Sequence, residues 1–167
     1  MSIQKQRIQP FLWFDTQAEE AAQLYCSIFK NSSIQHVSHY GDDAPGGATP
    51  GSAMSVSFVL DGLKFIALNG GPMYKFSEAT SFMVSAETQE EIDELWVGLT
   101  KEGGKEGPCG WLKDKFGLSW QVTPEVLGRY LSDGDREKAG RVMKAMLGMK
   151  KIVIAELEAA YNYQGTQ

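Results

Sequence analysis

Cysteine is scarce in this chain, since its 167 residues include only Cys26 and Cys109. The first residues, Met1 to Arg7, lack the apolar core of a secretory signal peptide. No apolar run approaches the length that crosses a bilayer. Two unpaired thiols without a secretory signal predict a reduced, cytoplasmic protein, and the lack of a long apolar run predicts no membrane partner.

An excess of basic charge is also missing. The chain has 16 lysines and arginines against 21 aspartates and glutamates, which gives a net charge of −5. A protein that binds a nucleic-acid backbone needs a basic face, so no nucleic-acid partner is expected. The remaining composition, 43% apolar and 22% charged, is that of an ordinary globular protein. This length suits one domain, or two small repeated modules that share a core.

The strongest signal is an internal repeat. Residues 11–30 superpose on residues 82–101 without a gap, which places Tyr25 on Trp96 and Leu24 on Leu95. Each stretch predicts a short strand and then a helix, because apolar residues recur at i, i+3, i+4 and i+7. The two apolar stripes are Ala21, Leu24, Tyr25 and Ile28 in the first helix, and Ile92, Leu95, Trp96 and Leu99 in the second.

The later parts of the two stretches correspond more loosely. Gly62 falls on Gly117, and in each case a tight turn leads into a strand. Residues 34–40 and 54–60 predict two more strands in the first module, and residues 107–113 predict short strands around a turn in the second. The predicted fold class is α+β: one domain, 1–167, with a βαβββ module in residues 1–78 and a shorter one in residues 79–124.

Residues 125–167 predict a helical tail instead of further strands. Asp133 or Asp135 can cap a helix that carries one apolar stripe. That stripe consists of Ala139, Val142, Met143, Met146 and Leu147, and it continues through Ile152, Leu157 and Tyr161. We interpret it as core or dimer packing and not as a groove for a partner.

The residues of the repeat match a known pattern. The segments Pro10–Asp15, Ala18–Ala21, Cys109–Trp120 and Arg141–Lys151 resemble the PhnB-like proteins, often labelled 3-demethylubiquinone-9 3-methyltransferase-like. These are a branch of the vicinal oxygen chelate superfamily, which includes glyoxalases, bleomycin-resistance proteins and extradiol dioxygenases. The resemblance implies two βαβββ modules with curled mixed sheets around a cavity, and a homodimer.

The methyltransferase label does not agree with the glycine pattern. A nucleotide-type cofactor in a doubly wound fold requires a glycine-rich turn between a strand and a helix. The only glycine pair directly after a predicted strand, Gly70-Gly71, runs into Pro72 and Tyr74 without a helix pattern. We therefore expect neither methyltransferase activity nor such a cofactor.

The resemblance also implies where metal ligands would lie, on the opening and closing strands of each module. Those positions are Pro10, Ser81, Ile66 and Gln121. Proline and isoleucine side chains cannot bind a divalent ion, and serine and glutamine are weak neutral ligands. His36 and His39 are three apart on a predicted strand, so alternation sends them to opposite faces unless a bulge intervenes. The expected metal site is therefore empty.

A cavity without a metal can still bind a small molecule. If the sheet face that carries Gln121 lines it, alternation adds Leu12, Phe14, Leu68, Met83, Ser85 and Ser119, and places Trp13 and Trp120 under the helices. The predicted ligand-binding residues are Gln121, Ser81, Asn69, Trp111, Lys113, His36, Leu12, Phe14, Leu68 and Met83.

The sequence favours a metal-independent protein that binds a small, partly apolar molecule. The alternative is a divergent lyase, isomerase or dioxygenase that uses an unrecognised metal site, or Gln121, His36 or Lys113 without a metal. Cys109 lacks a firm histidine partner, which makes nucleophilic catalysis a minority interpretation.

Overall fold

The computed structural model describes residues 6–163, so the outermost residues of the predicted 1–78 module and 125–167 tail lie outside it. Contacts along the backbone divide the chain into two compact units between Phe76 and Ser77. No helix within residues 6–163 is both long and apolar enough to cross a membrane.

The first unit contains one helix and four strands. Strand β1 (Phe11–Phe14) is followed by helix α1 (Ala18–Ile28), and then by strands β2 (Ser33–His39), β3 (Ala53–Leu60) and β4 (Leu63–Asn69). The strand order in the sheet is β1-β4-β3-β2. Strand β1 runs parallel to β4, and the other pairs are antiparallel.

The second unit repeats this topology and adds three helices. Strand β5 (Ser81–Ala86), helix α2 (Gln89–Thr100), and strands β6 (Lys105–Glu106), β7 (Trp111–Lys113) and β8 (Ser119–Pro124) form a sheet of order β5-β8-β7-β6. Strand β5 runs parallel to β8, as β1 does to β4. The predicted α+β class, with two mixed four-stranded sheets, is confirmed.

Helix α1 covers one face of the first sheet. The Tyr25 ring of α1 lies 6.4 Å from the Phe58 ring of β3, and Phe58 stacks on Phe65 of β4 at 5.4 Å. Val56 and Ala67, on the same face, are fully buried. The apolar stripe predicted for this helix therefore packs on alternate residues of the central strands.

Helices α3 (Glu125–Leu131), α4 (Arg136–Leu147) and α5 (Ile154–Asn162) form the tail. Of the two candidate caps, Asp135 is the one that caps α4, since its carboxylate accepts from the amides of Glu137 and Lys138. The predicted stripe is buried at Val142, Ile152 and Leu157, with Met146 and Tyr161 packed against them, whereas Leu147, the last residue of α4, is 62% exposed. The tail has a buried cluster of its own, which consists of Leu127, Tyr130, Val142, Met149, Ile152 and Leu157.

The segment between α4 and α5 fastens this tail to the second sheet. The amides of Cys109 and Gly110 donate to the carbonyls of Met149 and Lys150 at 2.8 and 2.7 Å. At the start of α2, the side chain of Gln89 donates to the Ile152 carbonyl at 3.2 Å and accepts from the Ile154 amide at 2.9 Å. Gln89 thus satisfies backbone groups on both sides of Val153, the residue that precedes α5.

Replacing Gln89 with alanine should loosen the tail, because it leaves the Ile152 carbonyl and the Ile154 amide without this partner. We expect the free energy of unfolding to fall by about 1–3 kcal/mol. We also expect the Ile154 amide to exchange faster, measured by hydrogen exchange. The control is Gln23→Ala on α1, whose exposed amide donates to Glu19 at 3.4 Å. An unchanged exchange rate at Ile154 would contradict this role for Gln89.

Candidate functional site

Five of the predicted ligand-binding residues lie on one face of the second sheet. Register pairs Met83 and Trp111 with Gln121, and pairs Ser81 and Lys113 with Ser119. Paired residues of neighbouring strands point to the same side. The opposite face carries Leu112, Trp120 and Val122, which are buried, whereas Met83 is 65% exposed. We call the face that carries Gln121 the open face of this sheet.

A neutral hydrogen-bonded pair lies on that open face. The amide nitrogen of Gln121 donates to the hydroxyl oxygen of Ser81 at 2.9 Å. The two side chains come from the parallel strands β8 and β5. Ser81 pairs in register with Ser119, two residues before Gln121. The pair offers an amide oxygen and a hydroxyl to a neighbouring molecule, and it carries no charge.

Beside this pair is a cavity of about 530 Å³ at the hairpin edge of the sheet. It is lined by Glu78, Lys105, Glu106, Gly107, Pro108, Trp111, Leu112, Lys113 and Ser119. Ser119 is 1% exposed, and its hydroxyl oxygen has no hydrogen-bond partner among residues 6–163. A buried hydroxyl without a partner costs free energy, so a group that reached this oxygen from the cavity would recover that cost.

Lys113 is held at this cavity by Glu78. Its ammonium nitrogen lies 2.5 Å from the Glu78 carboxylate, whose side chain is 66% exposed. The hydrogen bond from Lys113 lowers the pKa of the Glu78 carboxyl below its ordinary value, and the nearby positive charge adds to this. Since that pKa is lowered, the pair is complete at neutral pH and is lost only as the pH falls through the lowered value. The sequence did not indicate Glu78, because it lies in a loop.

Asp114 organises the turn from which Lys113 and Ser119 project. Its carboxylate, 3% exposed, accepts the amides of Phe116 and Leu118 at 2.9 and 3.0 Å. It also accepts the Trp120 indole N–H at 2.9 Å. Sequence reasoning missed Asp114, although an aspartate three residues before Gly117 is a turn signal.

The first sheet corrects the predicted positions of two ligand residues. Leu12 pairs with Ala67 and Phe14 with Asn69, which places both on the helix-covered face, where they are 6% and 3% exposed. Leu68 lies on the opposite face and pairs with Trp13. The prediction that Leu12 and Phe14 share a face with Leu68 is therefore wrong, as is the prediction that Trp13 packs under the helix.

These two predictions failed because the connection between strand and helix is one residue longer in the first unit than in the second. Asp15, Thr16 and Gln17 separate β1 from α1, but only Glu87 and Thr88 separate β5 from α2. The helices superpose without a gap, so the strands differ by one position. A shift of one residue moves every side chain of a strand to the other face.

The same shift changes which residues of the two modules correspond at the implied metal-ligand positions. Ile66 and Gln121 each lie four residues beyond a glycine with positive φ, Gly62 and Gly117. Ile66 pairs with Phe11, and Gln121 pairs with Met83. Phe11 therefore corresponds to Met83, and the residue that corresponds to Ser81 is Gln9. The prediction that Pro10 superposes on Ser81 is wrong.

These positions do not fit a divalent metal ion. They supply an alkyl side chain at Ile66, an exposed neutral amide at Gln9, and the neutral pair of Ser81 and Gln121, already bonded to each other. Catalytic zinc and manganese sites use imidazole and carboxylate ligands, about three from the protein. Within residues 6–163, no group of three or more His, Cys, Asp and Glu side chains is placed to hold a metal.

The two histidines keep the spacing from which opposite faces were predicted. Strand β2 changes register with β3 twice. Between Ile34 and His36 the additional residue, Gln35, lies on β2, and between Ser38 and His39 the additional residue, Met54, lies on β3. Neither one lies between His36 and His39 on β2, so no bulge brings the two side chains to one face. Both histidines are exposed.

Asn69 has a structural role that the sequence did not indicate. Its side-chain oxygen accepts the amide of Ala18, the first residue of α1, at 2.7 Å, and its nitrogen donates to the Ala53 carbonyl at 2.9 Å. The helix has no side-chain cap from Gln17. Asn69 thus supplies the cap from β4 and joins the helix start to β3.

In the first sheet, the open face is the one that helix α1 does not cover. Trp13 is held at the end of this face. Its indole nitrogen donates to the Gly71 carbonyl at 2.8 Å, and its ring meets Tyr74 edge-on at 5.0 Å. A Cβ at Gly70 would lie 2.2 Å from this ring. The glycine pair therefore serves the packing of Trp13, and the residues that follow it, 72–80, contain turns and no helix.

The duplicated topology, with a helix on one face of each mixed sheet, defines the class of this protein. It is the glyoxalase-like, vicinal oxygen chelate fold. The fosfomycin resistance protein FosX from Mesorhizobium loti is similar at 11% identity and a TM-score of 0.53, over 75% of this chain and 96% of that one. FosX from Listeria monocytogenes is similar at 15% identity and a TM-score of 0.51, over 74% and 93%.

Within that class, residues 6–123 match the model of the 3-demethylubiquinone-9 3-methyltransferase family. The chain belongs to this family. A PhnB protein from Bacillus cereus, which carries the same family name, shares 34% identity at a TM-score of 0.63, over 71% of this chain and 99% of that one. The chain has no significant match among curated proteins. Helices α3–α5 lie beyond the residues that the family model matches.

We expect Asp114→Asn to destabilise the second unit. An amide can accept only at its oxygen, so its nitrogen must face either the Trp120 N–H or the two backbone amides. The loss of one buried acceptor should lower the free energy of unfolding by about 1–3 kcal/mol, measured by urea denaturation. The exposed Asp42→Asn undergoes the same chemical change and should stay within about 0.5 kcal/mol of the parent. Equal stabilities for the two variants would contradict the role of Asp114.

Proposed function

We propose that this protein binds a small, partly apolar molecule without a metal ion. The observation that carries the proposal is the neutral pair of Ser81 and Gln121, bonded at 2.9 Å on an open sheet face. Trp111 and Met83 lie on the same face, and the cavity lies beside it. An apolar surface with a few placed hydrogen-bonding groups is the usual composition of a small-molecule site.

The predicted ligand residues divide into two groups under this proposal. Gln121, Ser81, Trp111, Lys113 and Met83 contact the ligand from the second unit. Leu68 and His36 offer an apolar and a polar group on the open face of the first sheet. Leu12, Phe14 and Asn69 support that sheet from its helix-covered side.

A metal-dependent enzyme is the second candidate, a divergent lyase, isomerase or dioxygenase. Its support is that His36 pairs with Ser57, and Ser57 with Ile66, which places one imidazole on the face of the first sheet that carries Ile66. The Listeria monocytogenes FosX relative is described with Mn(II), although at 15% identity it supports the fold alone. One imidazole falls short of the usual number of protein ligands, so the binding protein is preferred. Methyltransferase activity is not proposed, because no helix follows Gly70-Gly71 within residues 70–80.

We also propose a cytoplasmic homodimer. Its support is that Phe11 and Met83, large apolar side chains of the two sheets, are 59% and 65% exposed, so a second copy of the chain could cover them. Cys26 and Cys109 are both free thiols, as in a reducing compartment. Light scattering coupled to size exclusion tests the dimer directly.

Elemental analysis of protein purified without a chelator should find less than about a tenth of a divalent ion per chain, because the superposed ligand positions are neutral or alkyl. The analysis is repeated after dialysis against manganese and zinc, with His36→Ala as the comparison. About one ion per chain, lost in the histidine variant, would favour the enzyme and overturn the metal-independent proposal.

A thermal-shift screen of small aromatic and amphipathic molecules should find ligands that raise Tm in metal-free protein. Gln121→Leu keeps the size of the side chain and removes its hydrogen-bonding groups, so it should abolish those shifts. Gln23→Leu, on an exposed position of α1, is the matched control. Hits that survive Gln121→Leu unchanged would place the ligand elsewhere, and a screen without hits would contradict binding.

A further inference from the structure

The cavity at the hairpin edge has charges at its rim and a polar group at its floor. Lys105 of β6 lies directly opposite Lys113 of β7 in register, and both line the cavity. Like charges placed opposite each other on neighbouring strands repel, so an anion between them would stabilise the hairpin. The floor carries the Ser119 hydroxyl, which is buried and has no partner among residues 6–163.

Two carboxylates also line this cavity, and they are held differently. Glu106 accepts the Trp96 indole N–H at 2.9 Å and pairs with Lys150 at 3.5 Å, so its position is determined by groups outside the cavity. Glu78 lies in the loop before β5, and its carboxylate accepts from Lys113 and from the backbone amide of Glu78 itself. Both members of that pair are partly exposed, and exposed ion pairs contribute little to stability. Glu78 is therefore the carboxylate that an incoming anion can replace.

Part of the cavity lining is apolar. Trp111 and Leu112 of β7 and Pro108 of the preceding turn belong to it. Tryptophan provides a large surface on which a planar ring can lie. The cavity thus combines a cationic rim, an aromatic wall and a hydrogen-bonding floor.

From this arrangement, and on the basis of the function proposed above, we propose that the ligand is an amphipathic organic anion whose carboxylate replaces Glu78 on Lys113. Its flat apolar body lies against Trp111, and a hydroxyl or carbonyl at its inner end bonds Ser119. Glu78 acts as an internal competitor that occupies the anion position until the ligand arrives. No bond is made or broken in this exchange of ion pairs.

The probe for this proposal is 4-hydroxycinnamate. Two comparison compounds each lack one of its groups: methyl 4-hydroxycinnamate lacks the negative charge, and cinnamate lacks the hydroxyl. Calorimetric titration should show that Lys113→Gln weakens the binding of 4-hydroxycinnamate by about tenfold, the usual effect of a lost charged hydrogen bond. Glu78→Gln should strengthen it severalfold, because the competitor is removed. The methyl ester should bind weakly and should respond to neither substitution.

Ser119→Ala tests the floor of the cavity separately. Since this hydroxyl has no partner, its removal should leave Tm unchanged or raise it, so the variant should fold. It should weaken 4-hydroxycinnamate by about threefold to tenfold and leave cinnamate unaffected. The matched ion pair, Lys115 with Glu102 at 2.5 Å, does not line the cavity. Lys115→Gln and Glu102→Gln should therefore leave binding unchanged.

Opposite effects of Lys113→Gln and Glu78→Gln on the acid would support the proposal. Equal weakening by both variants, or no measurable binding of the acid to the parent protein, would overturn it. If the acid does not bind but neutral fragments do, and Gln121→Leu abolishes their binding, the proposal of an anionic ligand is contradicted and the proposed binding function is not. If no fragment binds at all, the proposed binding function fails as well.

Discussion

One helix covers one face of each four-stranded sheet, and the position of every functional residue depends on this constraint. Side chains alternate along a strand, so each residue packs either under the helix or on the open face. Tyr25 and Phe58 mark the covered side of the first sheet, at a ring distance of 6.4 Å. In the second sheet, Trp120 and Val122 are buried, whereas Gln121 between them lies with Ser81 on the open face.

The repeat in the sequence predicted the architecture well because helix periodicity and turn glycines are local signals. It placed the superposed helices without a gap and the turns at Gly62 and Gly117, both of which have positive φ. It failed at β1, where one additional residue before α1 moved Leu12 and Phe14 into the core and Trp13 onto the open face. No residue type in the connection, Asp15 to Gln17, signals that shift.

The candidate site depends on contacts between residues that are distant in sequence or in loops. Gln121 and Ser81 were found because the family resemblance implies ligand positions on the closing and opening strands of the second module. Glu78 was missed, because the loop position before β5 has no periodicity. Asn69 was assigned to the ligand, but its side chain instead caps a helix whose first residue lies 51 positions away. The role of Asp114 likewise depends on a contact outside its own turn, since its carboxylate also accepts the Trp120 indole N–H.

The sequence by itself determined the fold class, the duplication, the helical nature of the tail and the neutral residues at Ser81 and Gln121. These follow from composition and from spacing within short stretches, where the chain alone sets the pattern. The tertiary structure decided which face each strand presents, which aspartate caps α4, and where bulges interrupt the pairing of β2 with β3. It also paired Lys113 with Glu78 and left the Ser119 hydroxyl without a partner, because register and loop packing are settled only when the elements meet.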